Sequence, residues 1–343
     1  MARSTNLIVP EITTAAGVRV LQERLDLLRG ATRGAVDLSY DAGYLAANGG
    51  DYTEPVVFAR PANAVQHSDE ADPAGALTAV ALSQAKGMTP RQTQVAYYSW
   101  SRDEVMRGKM TPAQYSMALA GFLADDKLVR IRDNVIACGV AAIDSMDTPS
   151  ANYHIIDNSR GKGAGAAVTF TFARLNALLG KMGDAREQIV ALVMHSAVLT
   201  DLIGDGIANY KVDTVAGMMI VTGGSLGMGR AIIACDSSVL YNELTSTYYT
   251  EYFVLGLGAG ALTARIIGED PMEITSVTTT KVKSWTARQD FDIEYAVSGM
   301  KWESGTPIIN PTNAELATAA NWDEFLGDHR ECKIVKGIYN VTQ

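Results

Sequence analysis

The densest run of chemically suggestive residues is Val221-Thr222-Gly223-Gly224-Ser225-Leu226-Gly227-Met228-Gly229-Arg230-Ala231, placed directly after an apolar stretch. Glycines at this spacing allow backbone N–H groups to approach a pyrophosphate, provided that a helix opens directly after them and offers its positive end. The chain continues instead as Ala231-Ile232-Ile233-Ala234-Cys235, whose β-branched content predicts a second strand. The run is therefore read as a glycine-rich turn between strands, with no cofactor held there.

The same letters, TGxxxGxG over 222–229, resemble the cofactor fingerprint of short-chain dehydrogenases, which is the enzymatic alternative for this chain. That family also needs a YxxxK pair downstream. None of Tyr241, Tyr248, Tyr249, Tyr252, Tyr295 or Tyr339 has a lysine four positions later. Arg160-Gly161-Lys162-Gly163 lacks the GxxxxGK[ST] spacing of a phosphate loop and is read as a surface loop. His67, His154, His195 and His329 are scattered without metal-ligand spacing. His195 stands next to Ser196 and could act on it as a base, but no third group to orient it is evident. A local contact where a strand meets a helix is the preferred reading. Cys138, Cys235 and Cys332 form no CxxC pair, so neither a disulfide framework nor a zinc knuckle is expected. No catalytic, cofactor-binding or metal-binding residue is nominated.

Composition points the same way. The 343 residues are 47% hydrophobic and 20% charged, enough apolar chain for a substantial core. A net charge of −9 argues against a protein whose main task is to grip nucleic acid, which needs a dense cationic surface. The first residues, MARSTNLIVPEITTAAG, lack the apolar core of a signal peptide, and no run is long enough to span a membrane. A soluble, cytoplasmically made α+β protein is expected.

The elements are read from periodicity. After an extended piece ending at Pro10, Val18, Leu21, Leu25 and Leu28 mark a helix that Gly30 and Gly34 end. Its stripe must bury on a neighbouring copy or on its own chain. Strands are expected at 56–58 and 94–100, with the acidic segment 67–73 and the undecided run 76–84 between them, as a long projecting hairpin. Thr111, Pro112 and Gln114 predict a capping box opening a long helix over 111–146, striped by Tyr115, Leu119, Phe122, Val129, Ile136, Val140 and Ile143. Beyond the loop 158–165, helices at 172–182 and 197–209 alternate with strands at 189–194, 217–221, 231–235 and 252–257, an α/β layer. Strands at 273–285 and 290–299 predict a second hairpin laid on the long helix, and the tail carries Trp322 and a strand at 334–341.

This order of elements resembles the tailed-phage capsid fold of the Hong Kong 97 type. So does the wording at Gly49-Gly50-Asp51-Tyr52, Leu192-Val193-Met194-His195-Ser196 and Asn310-Pro311-Thr312-Asn313-Ala314-Glu315-Leu316. The resemblance implies an N-terminal arm at 1–45, an E-loop at 46–105 and a P-domain spine helix at 106–150. It further implies an A-domain at 151–271, a P-domain β-hairpin at 272–303 and a C-terminal segment at 304–343 belonging to either domain. It implies hexamers and pentamers of one chain, an icosahedral shell around double-stranded DNA, and a place in the virion after assembly in bacterial cytoplasm. A portal protein, and separate scaffolding or decoration proteins, are the implied partners; no cofactor, metal or membrane is. An encapsulin-type compartment shares this fold and is the other alternative. Many relatives carry a charged helical scaffold ahead of the E-loop. Here about 45 residues precede it, room for one helix at 3.6 residues per turn, so no proteolytic maturation is expected.

Overall fold

The computed structural model describes residues 10–40, 56–58, 84–86, 88–101, 111–146, 154–157, 169–205, 211–215, 218–222, 227–243, 250–278, 283–302, 309–324 and 329–341. Helix α1 (Pro10–Ala31) is followed by β1 (Val36–Tyr40), β2 (Val56–Phe58), β3 (Gln84–Lys86), β4 (Arg91–Ser101) and helix α2 (Pro112–Ser145). Next come β5 (Ile155–Asp157), α3 (Phe172–Gly180), β6 (Ile189–Met194), α4 (Ser196–Asp205), β7 (Lys211–Val215), β8 (Met218–Thr222) and β9 (Ala231–Cys235). Strands β10 (Tyr241–Glu243), β11 (Thr250–Gly258), β12 (Leu262–Glu269), β13 (Glu273–Thr278), β14 (Lys283–Val297) and β15 (Met300–Trp302) come after these. The chain closes with α5 (Asn313–Leu316), β16 (Trp322–Glu324) and β17 (Ile334–Val341).

Helix α2 organises the rest. Thr111 and Gln114 form the expected capping box, each side chain bonding the other residue's backbone N–H. Thirty-four residues then run as one helix, about 50 Å long at 1.5 Å per residue, with no break at Gly121 or Asp125-Asp126. Its apolar face differs from the expected stripe. Phe122 is 69% exposed, while Leu123, Leu128, Ile131 and Val135 are buried. From Asn134 to Ile143 nearly every residue is buried, because this half of the helix is enclosed by both large sheets. A helix covered all round loses the one-sided stripe that periodicity detects.

Helix α1 lies on α2 within the same chain. Leu21, Leu25 and Leu28 enter the main core and Arg24 pairs with Asp125. Arg33 and Gly34 end the helix in left-handed conformations (φ 53° and 73°), with the Gly34 N–H bonding back to the Arg29 carbonyl at 2.9 Å. The stripe thus finds its home without a neighbouring copy.

Two sheets flank α2. The five-stranded sheet runs β1-β12-β14-β13, with β4 also paired to β14. The eight-stranded sheet runs β5-β17-β11-β6-β9-β8-β7, with β10 on β11. The second is buried on both faces: along β6, Ala191 and Val193 face the α2 core, while Ile189, Leu192 and Met194 face α3 and α4.

Four expectations change. Residues 56–58 pair with 84–86, whereas β4 aligns with β14 from Arg91↔Glu294 to Ser101↔Ser284, so the two expected hairpin strands are not partners. The sheet changes between Gly258 and Leu262, not near residue 271, so β12 joins the sheet of β14. The bend expected near 286–289 is absent and β14 is continuous from Lys283 to Val297. Lastly, 304–343 is not one unit: β16 pairs with β15, while β17 lies inside the eight-stranded sheet. The segments 67–73 and 158–165 lie outside the described residues.

Candidate functional site

Strands β8 and β9 are antiparallel, with Val221 opposite Ile232, and Gly227 to Arg230 form a turn that leads into β9. The Arg230 N–H bonds the Gly227 carbonyl at 3.0 Å. Met228 and Gly229 take φ of 51° and 82°. A Cβ on Gly227 would stand 2.4 Å from the Arg230 carbonyl oxygen. The polarity of the turn is opposite to that of an anion cradle. The Gly229 carbonyl accepts from Arg33 Nη1 at 2.6 Å and the Met228 carbonyl from Arg230 Nη1 at 3.2 Å. Arg230 spends its other donors on the carbonyls of Ile189 (2.9 Å) and Arg186 (3.0 Å). This guanidinium locks the turn to the strand beside it.

The carboxyl ends of the parallel pair β6 and β9 are where an α/β layer usually holds ligands, and His195 and Asp236 meet there. Asp236 Oδ1 accepts the Ser196 N–H at 3.3 Å and lies 3.5 Å from His195 Nε2. The Ala197 N–H donates to His195 Nδ1 at 3.2 Å. With Nδ1 accepting, the neutral ring carries its proton on Nε2 and has no lone pair left for the Ser196 hydroxyl. Burial holds the His195 pKa below the usual imidazole value, with Asp236 opposing. The Ser196 hydroxyl holds Asp236 below the usual carboxylate range, aided by its backbone N–H. Tyr252 and Tyr241 flank the ring at centroid distances of 5.0 and 5.6 Å. The group caps α4 and wedges it onto the sheet. Sequence reasoning missed Asp236, which stands forty positions from Ser196 with no local motif to announce it.

The remaining reactive groups are quiet. All three cysteines are free and buried, and burial raises their thiol pKa values, to about 11 for Cys235 and about 12 for Cys332. Protonated thiols are poor nucleophiles. The rings of His154 and His329 meet edge to face at 5.1 Å. Among the described residues no group of His, Cys, Asp and Glu could hold a metal, and no helix is long and apolar enough to cross a membrane. His67 and Arg160–Gly163 lie outside the described residues.

The segment Asn310–Leu316 is a structural clasp. Gln92 Nε2 donates to the Pro311 carbonyl at 2.9 Å and to Asn313 Oδ1 at 2.7 Å. Asn134 Nδ2, on α2, donates to the Tyr295 hydroxyl at 3.0 Å and to Gln92 Oε1 at 3.1 Å. Thr312 and Glu315 form a second capping box, and the Leu316 carbonyl accepts Trp322 Nε1 at 3.0 Å. Buried polar groups connected this way fix one arrangement of α2, β4, β14 and the tail.

Several large apolar side chains stay outside: Val95 and Tyr97 on the face of β4 opposite Ala96 and Trp100, and Met117 and Phe122 on α2. Exposed apolar side chains of this size are available for contact with a partner.

A long helix lies between two sheets, polar clasps fix the strands around it, and large apolar side chains remain outside. A family model described as Gp13-like, Major capsid protein 13-like, matches residues 7–333. The chain belongs to that family of major capsid proteins, and its place is the capsid of the virion. Among solved structures it is similar to the capsid asymmetric unit of cyanophage Pam1, at 13% identity over 89% of each chain with a TM-score of 0.53. It is also similar to the capsid of Ralstonia phage GP4, at 9% identity over 90% of this chain and 88% of that one, TM-score 0.50. These likenesses establish the fold, which is the Hong Kong 97 type. No curated protein matches the chain. The encapsulin and dehydrogenase alternatives find no support in the matched family.

Proposed function

We propose that copies of this chain assemble as hexamers and pentamers into an icosahedral shell around double-stranded DNA, and that the chain carries out no catalysis. The observation that carries the reading is the contrast between a core completed within one chain and the large apolar side chains Val95, Tyr97, Met117 and Phe122 left exposed on it. Apolar groups that the fold leaves outside become buried when neighbours join, so shell stability is a sum over interfaces. In this reading α2 and the five-stranded sheet form the P-domain, with α2 as its spine. The eight-stranded sheet forms the A-domain at the capsomer axis. The paired strands β2 and β3 are the base of an E-loop that reaches a neighbour. A portal occupies one vertex, scaffolding or decoration proteins are separate chains, and assembly takes place in the host cytoplasm.

Electron microscopy and sedimentation of the purified protein test this. Closed particles with hexameric and pentameric units are expected, and Phe122→Asp together with Tyr97→Asp should leave soluble, folded subunits that do not close. A protein that stays monomeric with a scaffold and portal supplied would overturn the proposal.

A further inference from the structure

Strand β4 lies at the border of the five-stranded sheet, and β14 takes one of its two edges. The Pro90 carbonyl accepts the Tyr295 N–H at 3.1 Å. Bonds between antiparallel strands alternate along the chain, so the even-numbered residues from Gln92 to Trp100 turn their backbone groups to β14 and the odd-numbered ones turn theirs away. Asn310 bears out this parity: its N–H donates to the Arg91 carbonyl at 2.6 Å and its Oδ1 accepts the Thr93 N–H at 3.3 Å. Beyond Thr93 the outer edge has no backbone partner among the described residues. The N–H and carbonyl groups of Val95, Tyr97, Ser99 and Ser101 stand unpaired along it.

Open edges are normally guarded by a lysine, a proline or a bulge. Gln94-Val95-Ala96-Tyr97-Tyr98-Ser99-Trp100-Ser101 holds no charged residue, proline or glycine, and its register against β14 runs without a shift. Val95 and Tyr97 are also 46% and 63% exposed, with Ser99 exposed beside them on the outer face. The stretch thus offers both backbone bonds and uncovered apolar surface to an added strand.

It is complementary to itself. Laid antiparallel against a second copy, about a two-fold axis beside Tyr98, Val95 faces Ser101 and Tyr97 faces Ser99. Every outward backbone group then finds its partner in a single register. The side chains match as well: on the outer face the large Tyr97 meets the small Ser99, and on the inner face the small Ala96 meets the large Trp100. A neutral edge adds no repulsion between two identical strands. We propose that two copies of this chain join edge to edge through β4, making one sheet continuous across both subunits. The inference rests on the shell reading, in which copies meet, and names one of their contacts.

Disulfide trapping tests it. Tyr98 faces its own copy at a position that is not hydrogen-bonded across the seam, where Cα atoms lie about 4.5 Å apart, within reach of a disulfide. Tyr98→Cys is expected to give a linked dimer under mild oxidant, both in closed particles and in concentrated unassembled subunits. Val95→Cys, whose copy is about 20 Å away at 3.3 Å per residue, should give none, and the three native cysteines are buried. Ser99→Pro removes an N–H that faces away from β14, so adding it to Tyr98→Cys should keep the sheet and abolish the link. If Tyr98→Cys does not fold, an equal mixture of Tyr97→Cys and Ser99→Cys gives the same dimer, since both positions are exposed. Folded Tyr98→Cys that stays unlinked in closed particles overturns the proposal and leaves the shell reading intact. Linked dimers that never close into particles uphold the pairing and count against the shell. Equal linking of Tyr98→Cys and Val95→Cys means that the register is not fixed, and overturns the proposal. So does slow hydrogen exchange at the Val95, Tyr97 and Ser99 amides of a monomer, which would put another segment of the same chain on the edge.

Discussion

Lys336, in the eight-stranded sheet, donates from Nζ to both carboxylate oxygens of Asp144, in the last turn of α2, at 2.7 and 2.8 Å. The lysine side chain is 3% exposed and its ammonium also lies 4.1 Å from the Phe253 ring centroid, while Asp144 keeps 36% of its surface in water. The pair fixes how the helix that carries one sheet sits on the other. Removing one partner of such a pair strands a buried charge, and Asp144→Ala is expected to cost about 3 kcal/mol, the lower end for buried pairs because Asp144 is partly solvated. Lys336→Met, which keeps the packing on Phe253, should cost much less. Urea unfolding of unassembled subunits checks the order of the two.

The cap of α4 makes the subunit acid-sensitive. His195 has a folded pKa below its ordinary 6.5, so its neutral form is the one the fold prefers. That contribution is complete above the ordinary value and is lost as pH falls through the lowered one. Asp236, likewise lowered from 3.8, adds a loss of the same sign at still lower pH. Melting temperature is expected to fall between pH 7 and pH 5, with a shallower slope in His195→Asn. Equal slopes in both proteins would contradict the assignment.

At the glycine turn, alanine should damage folding and change no ligand dependence. Gly229→Ala places a side chain at φ 82°, a cost of about 1–2 kcal/mol. Gly227→Ala should cost more, since its Cβ meets backbone at 2.4 Å. Calorimetry with and without NADH checks this: saturable binding by the wild type, lost in either variant, would restore the nucleotide reading.

In the clasp, Tyr295→Phe removes one acceptor of Asn134, whose amide keeps Gln92 Oε1 and Asn313 Oδ1. A loss of about 0.5–1.5 kcal/mol, that of one hydrogen bond, is expected. Pairing it with Gln92→Leu should give a total smaller than the sum of the single losses, because both changes act on one network. A double-mutant cycle on subunit stability measures this directly.

Helix α1 is part of the core, so it cannot be removed as a detachable arm. Leu25→Ala should destabilise the subunit by about 2–5 kcal/mol. Deleting residues 1–34 should yield aggregating protein, since it uncovers the apolar face of α2. Light scattering of the truncated chain distinguishes this from a soluble subunit that merely fails to close shells.

Elements buried on both faces are the most legible in the sequence. Ile189–Met194 and Ala231–Cys235 are continuous apolar runs, and each forms a strand with those bounds. The capping box at Thr111 is equally plain, because its chemistry is local. Pairing between distant segments is not. Nothing in Val36–Tyr40 announces its parallel partner Leu262–Ile266, and Arg265 and Gly268 interrupt the apolar content of β12 enough to hide it. Strand β13 ends at Thr278 and β14 begins at Lys283, and no glycine or proline in that part of the sequence announces the break. The spacing of Phe122 fits an inward stripe, yet only the enclosing sheets decide which stripe of the helix is used. The candidate site is the least legible part, for Asp236, Arg230 and Gln92 act through partners far away in the chain.

Strand β17 sits between β5 and β11, and β1 rests on β12. Each large sheet therefore needs partners made early and partners made late, and the eight-stranded one stays open through its middle until residues 334–341 have been synthesised. Such distant pairing is slow to form, and the core beneath this sheet closes only when the last strand of the chain takes its place between β5 and β11.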